Sequence, residues 1–422
     1  MEYSQPKWPI ESESKISRNI WLSLWALFAV SMFVSKSGIS IFGTILLLWS
    51  LFKINWKATI RQNYWFAVLL SIYPLAILVS LLSIAGLDAA LKVAREWAWP
   101  LYIIPFSLLF QDKKGIKVFS WGSAIGLIAA FIKAIVLFGS DWHWALGSQT
   151  RVASFWDISR WGYFLSCSSV VLFALIGHSV TWSKMNRLQK VALPLLLVCS
   201  LVFLVLSNTR GPWLATFLGL AALGVSGKRY FKMLCAFAVF VVLSLVVTPG
   251  VLDRLESSFS AKTENGVVTS KDASNAGRLH MWQVNLEMAQ ENLFFGTGFE
   301  SVEKPLREFI EKKGTEYRNR YVFSEFSFRD QHSSYLQILV QLGIVFFVFF
   351  WGVVGILVLL SFRAFFKSQD VWVKTAFALT VTQLFMFIFY SSISSFEGLW
   401  FYPTLLVLSA AVMQHKAKLN IA

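Results

Sequence analysis

The sequence predicts an all-α polytopic membrane protein, and three observations predict it. Apolar runs of membrane length recur along the whole 422-residue chain. Only 14% of residues are charged against 56% hydrophobic, whereas a soluble domain carries about 25% charged residues. Basic residues also concentrate in alternate connections between the apolar runs.

The expected spans lie at roughly 18–34, 38–54, 64–86, 96–111, 116–138, 158–178, 189–208, 211–227, 229–249, 332–362, 371–393 and 396–413. Each of these twelve is near the length needed to cross the hydrocarbon. Short connections such as "SKSG" (35–38) and "SGKRY" (226–230) leave room only for helical hairpins. No short apolar stretch ends in a small-residue cleavage site, so the first span is expected to be its own insertion signal. Connections carrying residues such as Lys53, Lys113, Arg187 and Lys228 hold 20 basic residues, against 6 in the intervening short ones. That asymmetry predicts cytoplasmic termini. It also explains the net charge of +15 as topology rather than as a nucleic-acid surface. Residues 1–249 would hold the first nine spans, 250–331 a large outer loop, and 332–422 the last three.

The outer loop carries 11 basic and 13 acidic residues. Its 258–277 part is rich in Ser, Asn and Gly and predicts turns and irregular chain. Two short helices are expected after it. One follows Trp282, Leu286 and Ala289; the other follows Val302, Leu306 and Phe309 or Ile310, and stops at Gly314. Cys167, Cys199 and Cys235 each lie in an apolar run, so they predict neither disulfide nor zinc site and read as small buried hydrophobes.

Three outer residues make a chemically coherent set. Arg210 sits in "SNTRGP" (207–212) at a hairpin tip, where Gly211 and Pro212 end one helix and start the next. The N–H groups of that next helix favour an anion at the same place. Arg278 lies at an expected helix start, where a cation opposes the helix dipole and hints at a nearby anion. His332 opens the tenth span, and histidine accepts and releases protons near neutrality. Two guanidiniums can hold a diphosphate through forked contacts, while an imidazole takes a proton from an attacking hydroxyl. No D-x-D pair and no histidine–carboxylate cluster with metal spacing appears, so no metal or other cofactor is expected. Nucleotide sugars are cytoplasmic, so an outer enzyme handling diphosphates points to a lipid-linked donor. Of the other histidines, His143 reads as an interfacial residue between tryptophans and His280 neighbours Arg278. The tryptophans Trp97, Trp161 and Trp213 read as an interface belt or the lining of a lipid entry.

The twelve spans, the large loop, and the blocks "SNTRGPWLA" (207–215), "GRLHMW…NLFFGTGF" (277–299) and "DQHSSYLQILVQLG" (330–343) resemble the bacterial O-antigen ligases. These share a superfamily with O-antigen polymerases and protein O-oligosaccharyltransferases. The resemblance implies a GT-C-type glycosyltransferase of the bacterial inner membrane, working in lipopolysaccharide biosynthesis on the periplasmic face. Such an enzyme moves O-antigen polysaccharide from undecaprenyl diphosphate onto the lipid A–core oligosaccharide, inverting the anomeric centre without metal or nucleotide. His332 matches the family's general base, and Arg210 and Arg278 match its diphosphate-binding arginines. Many GT-C enzymes place an acidic base on the first outer loop; "SKSG" has none, which leaves the role to His332. Asp330 is a candidate to orient that histidine. "RVASFWDISRWGYFL" (151–165) resembles a further family block, with Asp157 and Ser159 where asparagine is expected, and makes Arg151 and Arg160 candidate donor-facing residues. The alternatives are a polymerase or protein oligosaccharyltransferase of the same superfamily, or a non-enzymatic transporter of lipid-linked glycan. A transporter tends to show repeated halves and midplane charges, and neither is visible here.

Overall fold

The computed structural model describes residues 15–145, 150–247, 262–264, 267–269, 273–322 and 326–419. Residues 258–261, 265–266 and 270–272 of the Ser-rich stretch lie outside the described residues. The helices are α1 (Lys15–Val34), α2 (Lys36–Lys53), α3 (Trp56–Gln62), α4 (Tyr64–Leu81), α5 (Gly86–Glu96), α6 (Ile103–Leu109), α7 (Lys113–Trp142), α8 (Ile158–Gly177) and α9 (Ser179–Ser183). They continue as α10 (Arg187–Leu206), α11 (Arg210–Gly224), α12 (Lys228–Val247), α13 (Ala273–Glu291), α14 (Glu303–Lys313), α15 (Thr315–Tyr321), α16 (Ser334–Lys367), α17 (Val371–Met386) and α18 (Gly398–Leu419).

Short polar residues start the helices where the chain turns. Ser35 alone separates α1 from α2 and accepts from the Gly38 N–H. Asp112 caps α7 through the Lys114 N–H, and Asn186 forms a reciprocal capping box with Gln189 at α10. Such caps satisfy first-turn donors that lipid cannot. Helix α8 is the central pillar, buried on nearly all faces and packed against α10, α11 and α17. Small polar residues let neighbours approach it closely: Thr216 of α11 hydrogen-bonds Ser166 of α8 at 2.8 Å.

The chain is a multi-pass, helical membrane protein. Every expected span carries helix, and seven helices among the described residues are long and apolar enough to cross a membrane: α1, α2, α4, α7, α8, α10 and α16. The span expected at 96–111 is a 3-10 turn, Trp99–Tyr102, followed by the seven residues of α6. Together they reach roughly 20 Å, short of the hydrocarbon thickness. Pro100 and Pro105 explain the break, since each removes a backbone donor. Helix α5 falls in the connection expected between the spans 64–86 and 96–111. Its Ala89, Ala90 and Val93 are buried while Leu87, Leu91 and Arg95 are exposed. The expected span 371–393 stops being helical at Met386, and residues 387–397 are irregular. Trp97 and Trp161 are neither belt nor entry: they are 1% and 0% exposed, inside the core. Cys167 is buried, but Cys235 is exposed on α12.

The polar segment folds as a small helical cap. Two short antiparallel strands, Lys262–Glu264 and Val267–Thr269, precede α13, which begins at Ala273 rather than at 278. Arg278 therefore lies in the second turn, away from the dipole end on which its sequence argument leaned. The buried face of α13 is Met281, Val284, Met288 and Ala289, while the expected Leu286 is 47% exposed. The second helix buries Val302, Leu306, Phe309 and Ile310 as expected, and a third short helix, α15, follows Gly314. This cap shares its core with Leu336 and Val340 of α16.

A break in α16 fixes the cap to the bundle. Gly343 has φ +70° and interrupts the helix. The 293–298 chain lies across the break: Thr297 and Gly298 N–H donate to the Val340 and Gln341 carbonyls at 2.9 Å each, and Ile344 N–H donates to the Leu293 carbonyl at 2.7 Å. The groups freed by the break are thus paired again inside the protein, as burial demands. Backbone meets backbone here: a Cβ on Gly343 would lie 2.2 Å from the Phe294 carbonyl oxygen. We expect Gly343→Ala to lower stability by about 1–3 kcal/mol or more, measured as a lower detergent-solubilised melting temperature; Gly352→Ala, where a Cβ would meet nothing, should not.

Candidate functional site

Four pieces of chain meet at the capped end of the bundle. The first is the α10–α11 tip. Thr209 does not cap α11; its hydroxyl pairs with Ser207 at 2.7 Å, so no cap side chain accepts from the first turn at Arg210. The tip is clasped by the 150–152 chain. Val152 N–H donates to the Leu206 carbonyl at 2.9 Å, and Asn208 Nδ2 donates to the Thr150 carbonyl at 3.4 Å. Arg151 lies between these two bonds and is exposed beside the Arg210 turn.

The second piece is 330–334, and nearly every polar group in it has a structural partner. Trp282 of α13 donates to the Gln331 carbonyl at 3.0 Å, and Gln341 donates to the Gln331 side chain at 3.2 Å. Ser333 caps α16 and donates to the Phe387 carbonyl at 3.3 Å. Ser334 Oγ donates to the Tyr390 carbonyl at 2.7 Å and accepts from the Ser392 N–H at 3.1 Å. The His332 imidazole, 35% exposed, is left at the surface of this piece with the Asp330 carboxylate, 46% exposed, beside it. The His332 backbone is left-handed, φ +49°, a conformation that costs a non-glycine residue energy and recurs at functional sites.

Asp330 holds that histidine. Its Oδ1 accepts from the His332 N–H at 2.8 Å, and its Oδ2 approaches Nδ1 at 3.4 Å. A carboxylate there favours the Nδ1–H tautomer and leaves the Nε2 lone pair outward. Burial pushes the imidazole pKa down from its ordinary 6.5; the Asp330 charge raises it, and the Arg278 charge lowers it further. The net downward direction keeps the ring neutral, and so able to accept a proton, at neutral pH.

The third piece is the irregular 387–397 chain, whose backbone is satisfied from all sides. Trp97 donates to the Ile393 carbonyl at 3.2 Å, and Trp99 to the Ser394 carbonyl at 3.0 Å. Tyr390 of this chain packs against Gly211, next to Arg210. The charges of Arg278 and Arg151 both reach the Tyr390 phenol. The fourth piece is α13, which brings Arg278 to His332 and Tyr390.

The structure therefore brings Arg278 and Arg151 to Tyr390, beside the turn that carries Arg210, and brings Arg278 and Asp330 to His332. It puts Arg160 to a different use. Its Nε pairs with Glu397 at 3.0 Å and its Nη1 with Asp157 at 2.7 Å. Glu397, with its side chain only 5% exposed, also accepts from Ser395. Asp157 in turn caps α8, accepting from the Ser159 and Arg160 N–H groups at 3.1 Å. Arg160 is thus a clamp between α8 and the start of α18. Sequence reasoning missed Glu397 and Tyr390 because both lie in what hydropathy marks as span. A buried carboxylate in an apolar run was the available signal for Glu397. His280 lies about 200° round α13 from Arg278, buried edge-on to Tyr321 with ring centroids 5.6 Å apart, in the cap core. Trp213 is half-buried and donates to the Leu204 carbonyl at 2.6 Å.

Fold and site together define a polytopic helical membrane protein with a cationic cluster and a neutral imidazole at one end. Residues 195–351 match the family model described as O-antigen ligase. The matched stretch includes Arg210, Arg278 and His332 but neither Arg151 nor Tyr390. No curated protein matches the chain.

Glu397→Ala should leave Arg160 without its buried partner and lower stability by about 1.5–3 kcal/mol. Thermal unfolding in detergent checks this, and Asp88→Ala, which removes an exposed i,i+4 partner of Lys92, should change it by less than about 1 kcal/mol.

Proposed function

We propose that this protein is an inverting, metal-independent glycosyltransferase of the GT-C type with twelve spans. It ligates O-antigen polysaccharide from undecaprenyl diphosphate onto the lipid A–core oligosaccharide. The reaction takes place on the periplasmic face of the bacterial inner membrane, with both termini cytoplasmic. The observation that carries this reading is that Arg278 reaches both His332 and Tyr390, with Arg151 and the turn that carries Arg210 at the same tyrosine.

In the proposed step, the acceptor hydroxyl oxygen attacks the anomeric carbon of the donor sugar. His332 Nε2 takes the hydroxyl proton as the new carbon–oxygen bond forms. The bond from that carbon to the phosphate oxygen breaks, and its electron pair leaves with undecaprenyl diphosphate. Arg210 and Arg278 hold the two phosphates and stabilise the charge that grows on them; each such contact is worth roughly 2.7–4 kcal/mol by analogy with an oxyanion donor. Arg151 adds a third positive charge at the mouth. Asp330 keeps the imidazole in its proton-accepting tautomer. One displacement inverts the anomeric configuration.

A reconstituted assay offering lipid A–core, a second lipid-linked glycan and an acceptor protein in parallel tests the acceptor; transfer to lipid A–core is expected. In it, His332→Ala should lose about 10²–10⁴-fold in rate. Arg210→Lys should weaken donor binding, because lysine does not fork onto a diphosphate. Full activity in the first variant would remove the base assignment.

The pH profile gives an independent check. A base works when unprotonated, so activity should fall as pH drops through a His332 pKa below the ordinary histidine value of 6.5. Asp330→Asn removes a charge that raises this pKa, so the acid limb should move to lower pH. Arg278→Gln removes one that lowers it, so the limb should move to higher pH. Shifts in the same direction for both would contradict the assignment.

A further inference from the structure

Tyr390 lies within reach of Arg278, Arg151 and the turn that carries Arg210, and nothing in the proposed chemistry yet uses it. Its backbone is fixed on both sides: its N–H donates to the Met386 carbonyl at 3.1 Å, and its carbonyl accepts from Ser334 Oγ at 2.7 Å. Its ring lies against the first turn of α11, so close that a Cβ on Gly211 would sit 3.0 Å from the ring Cε2. The tyrosine thus bridges the two elements that carry Arg210 and His332.

Its hydroxyl differs from those of Tyr163 and Tyr335. Tyr163 donates to the Glu397 carbonyl and Tyr335 to the Leu384 carbonyl; the Tyr402 hydroxyl also lacks a partner among the described residues but is buried in the core, away from solvent. Among the described residues no protein group hydrogen-bonds the Tyr390 hydroxyl, although the ring is only half-buried and lies within reach of the charges of Arg278, Arg151 and Asp157. Asp157 is already engaged by Arg160 and by its own helix start. What remains around the hydroxyl is positive charge. Guanidiniums only donate hydrogen bonds, so they offer a phenol O–H no acceptor. An anionic group rich in acceptor oxygens satisfies Arg278, Arg151 and the phenol together.

We propose that the Tyr390 hydroxyl contacts the donor, giving a hydrogen bond to a phosphate oxygen of the polyprenyl diphosphate held between Arg210, Arg278 and Arg151. The assignment rests on the donor reading given above. Gly211 is then small because the ring that carries this hydroxyl must lie over it. Tyr390→Phe is the informative variant, since it keeps the ring on Gly211 and deletes only the donor.

The test is binding of undecaprenyl diphosphate to the full-length protein in nanodiscs, with undecaprenol as the uncharged control. Wild type should prefer the diphosphate. Tyr390→Phe should bind it roughly 10-fold more weakly or worse, with an unchanged melting temperature and unchanged binding of undecaprenol. Gly211→Ala, which pushes the ring away, should weaken diphosphate binding in the same direction. Tyr390→Phe binding within twofold of wild type overturns the proposal while leaving the donor reading intact. Wild type showing no preference for the diphosphate overturns the donor reading and the proposal with it.

Discussion

The structure depends on one constraint: irregular backbone inside an apolar bundle must find its hydrogen bonds within the protein. Two stretches impose it. At Gly343 the helical ladder of α16 is broken, and the 293–298 chain supplies the missing partners. At 387–397 the chain leaves helix altogether, and Trp97, Trp99 and Ser334 reach in to satisfy it. Each unpaired group there would cost on the order of 1–3 kcal/mol. The partners that prevent this cost are the same residues that fix the cap, the α16 start and Tyr390 in one arrangement. The site is therefore a by-product of backbone satisfaction, which leaves the His332 imidazole partly exposed beside Asp330.

Charge is divided between two neighbouring clusters with different uses. Arg160 is neutralised by Glu397 and Asp157 and ties α8 to α18. Arg151 and Arg278 bring positive charge to Tyr390, beside the turn that carries Arg210. A cluster of like charges raises the energy of the empty protein and favours a polyanion. The nearby neutral imidazole keeps its proton-accepting form partly because that positive field opposes its protonation.

Much of this was legible in the sequence, and the failures have physical causes. Hydropathy located the apolar helices, and the motif "DQHSSYLQILVQLG" marked the α16 start. It did not reveal that Gln331, Ser333 and Ser334 are structural while the His332 imidazole is left partly exposed beside Asp330, because that sorting depends on the 387–397 chain, distant in sequence. Apolar composition also hid the irregular stretches: "FIFYSSISSFE" (387–397) is hydrophobic enough to read as span, yet its backbone is held by partners from other helices. The buried face of α13 was misjudged by a fraction of a turn, since both Trp282 and Met281 fit a helical period and only packing on Val340 and Leu336 selects Met281. Arg160 and Arg151 looked equivalent on paper. Their fates parted because Glu397, 237 residues further along the chain, meets only one of them.

The interruption at Gly343 has a mechanical consequence. The outer nine residues of α16, which follow His332, are fastened to the cap and to the 387–394 chain, whereas the long apolar part beyond the glycine is fastened to its helical neighbours. Bilayers of different thickness make long helices lean by different amounts. With a hinge at this position, such leaning is taken up beyond the imidazole rather than passed to it, so the protein can adjust to its lipid surroundings while the cap, the His332 turn and the 387–394 chain keep their spacing.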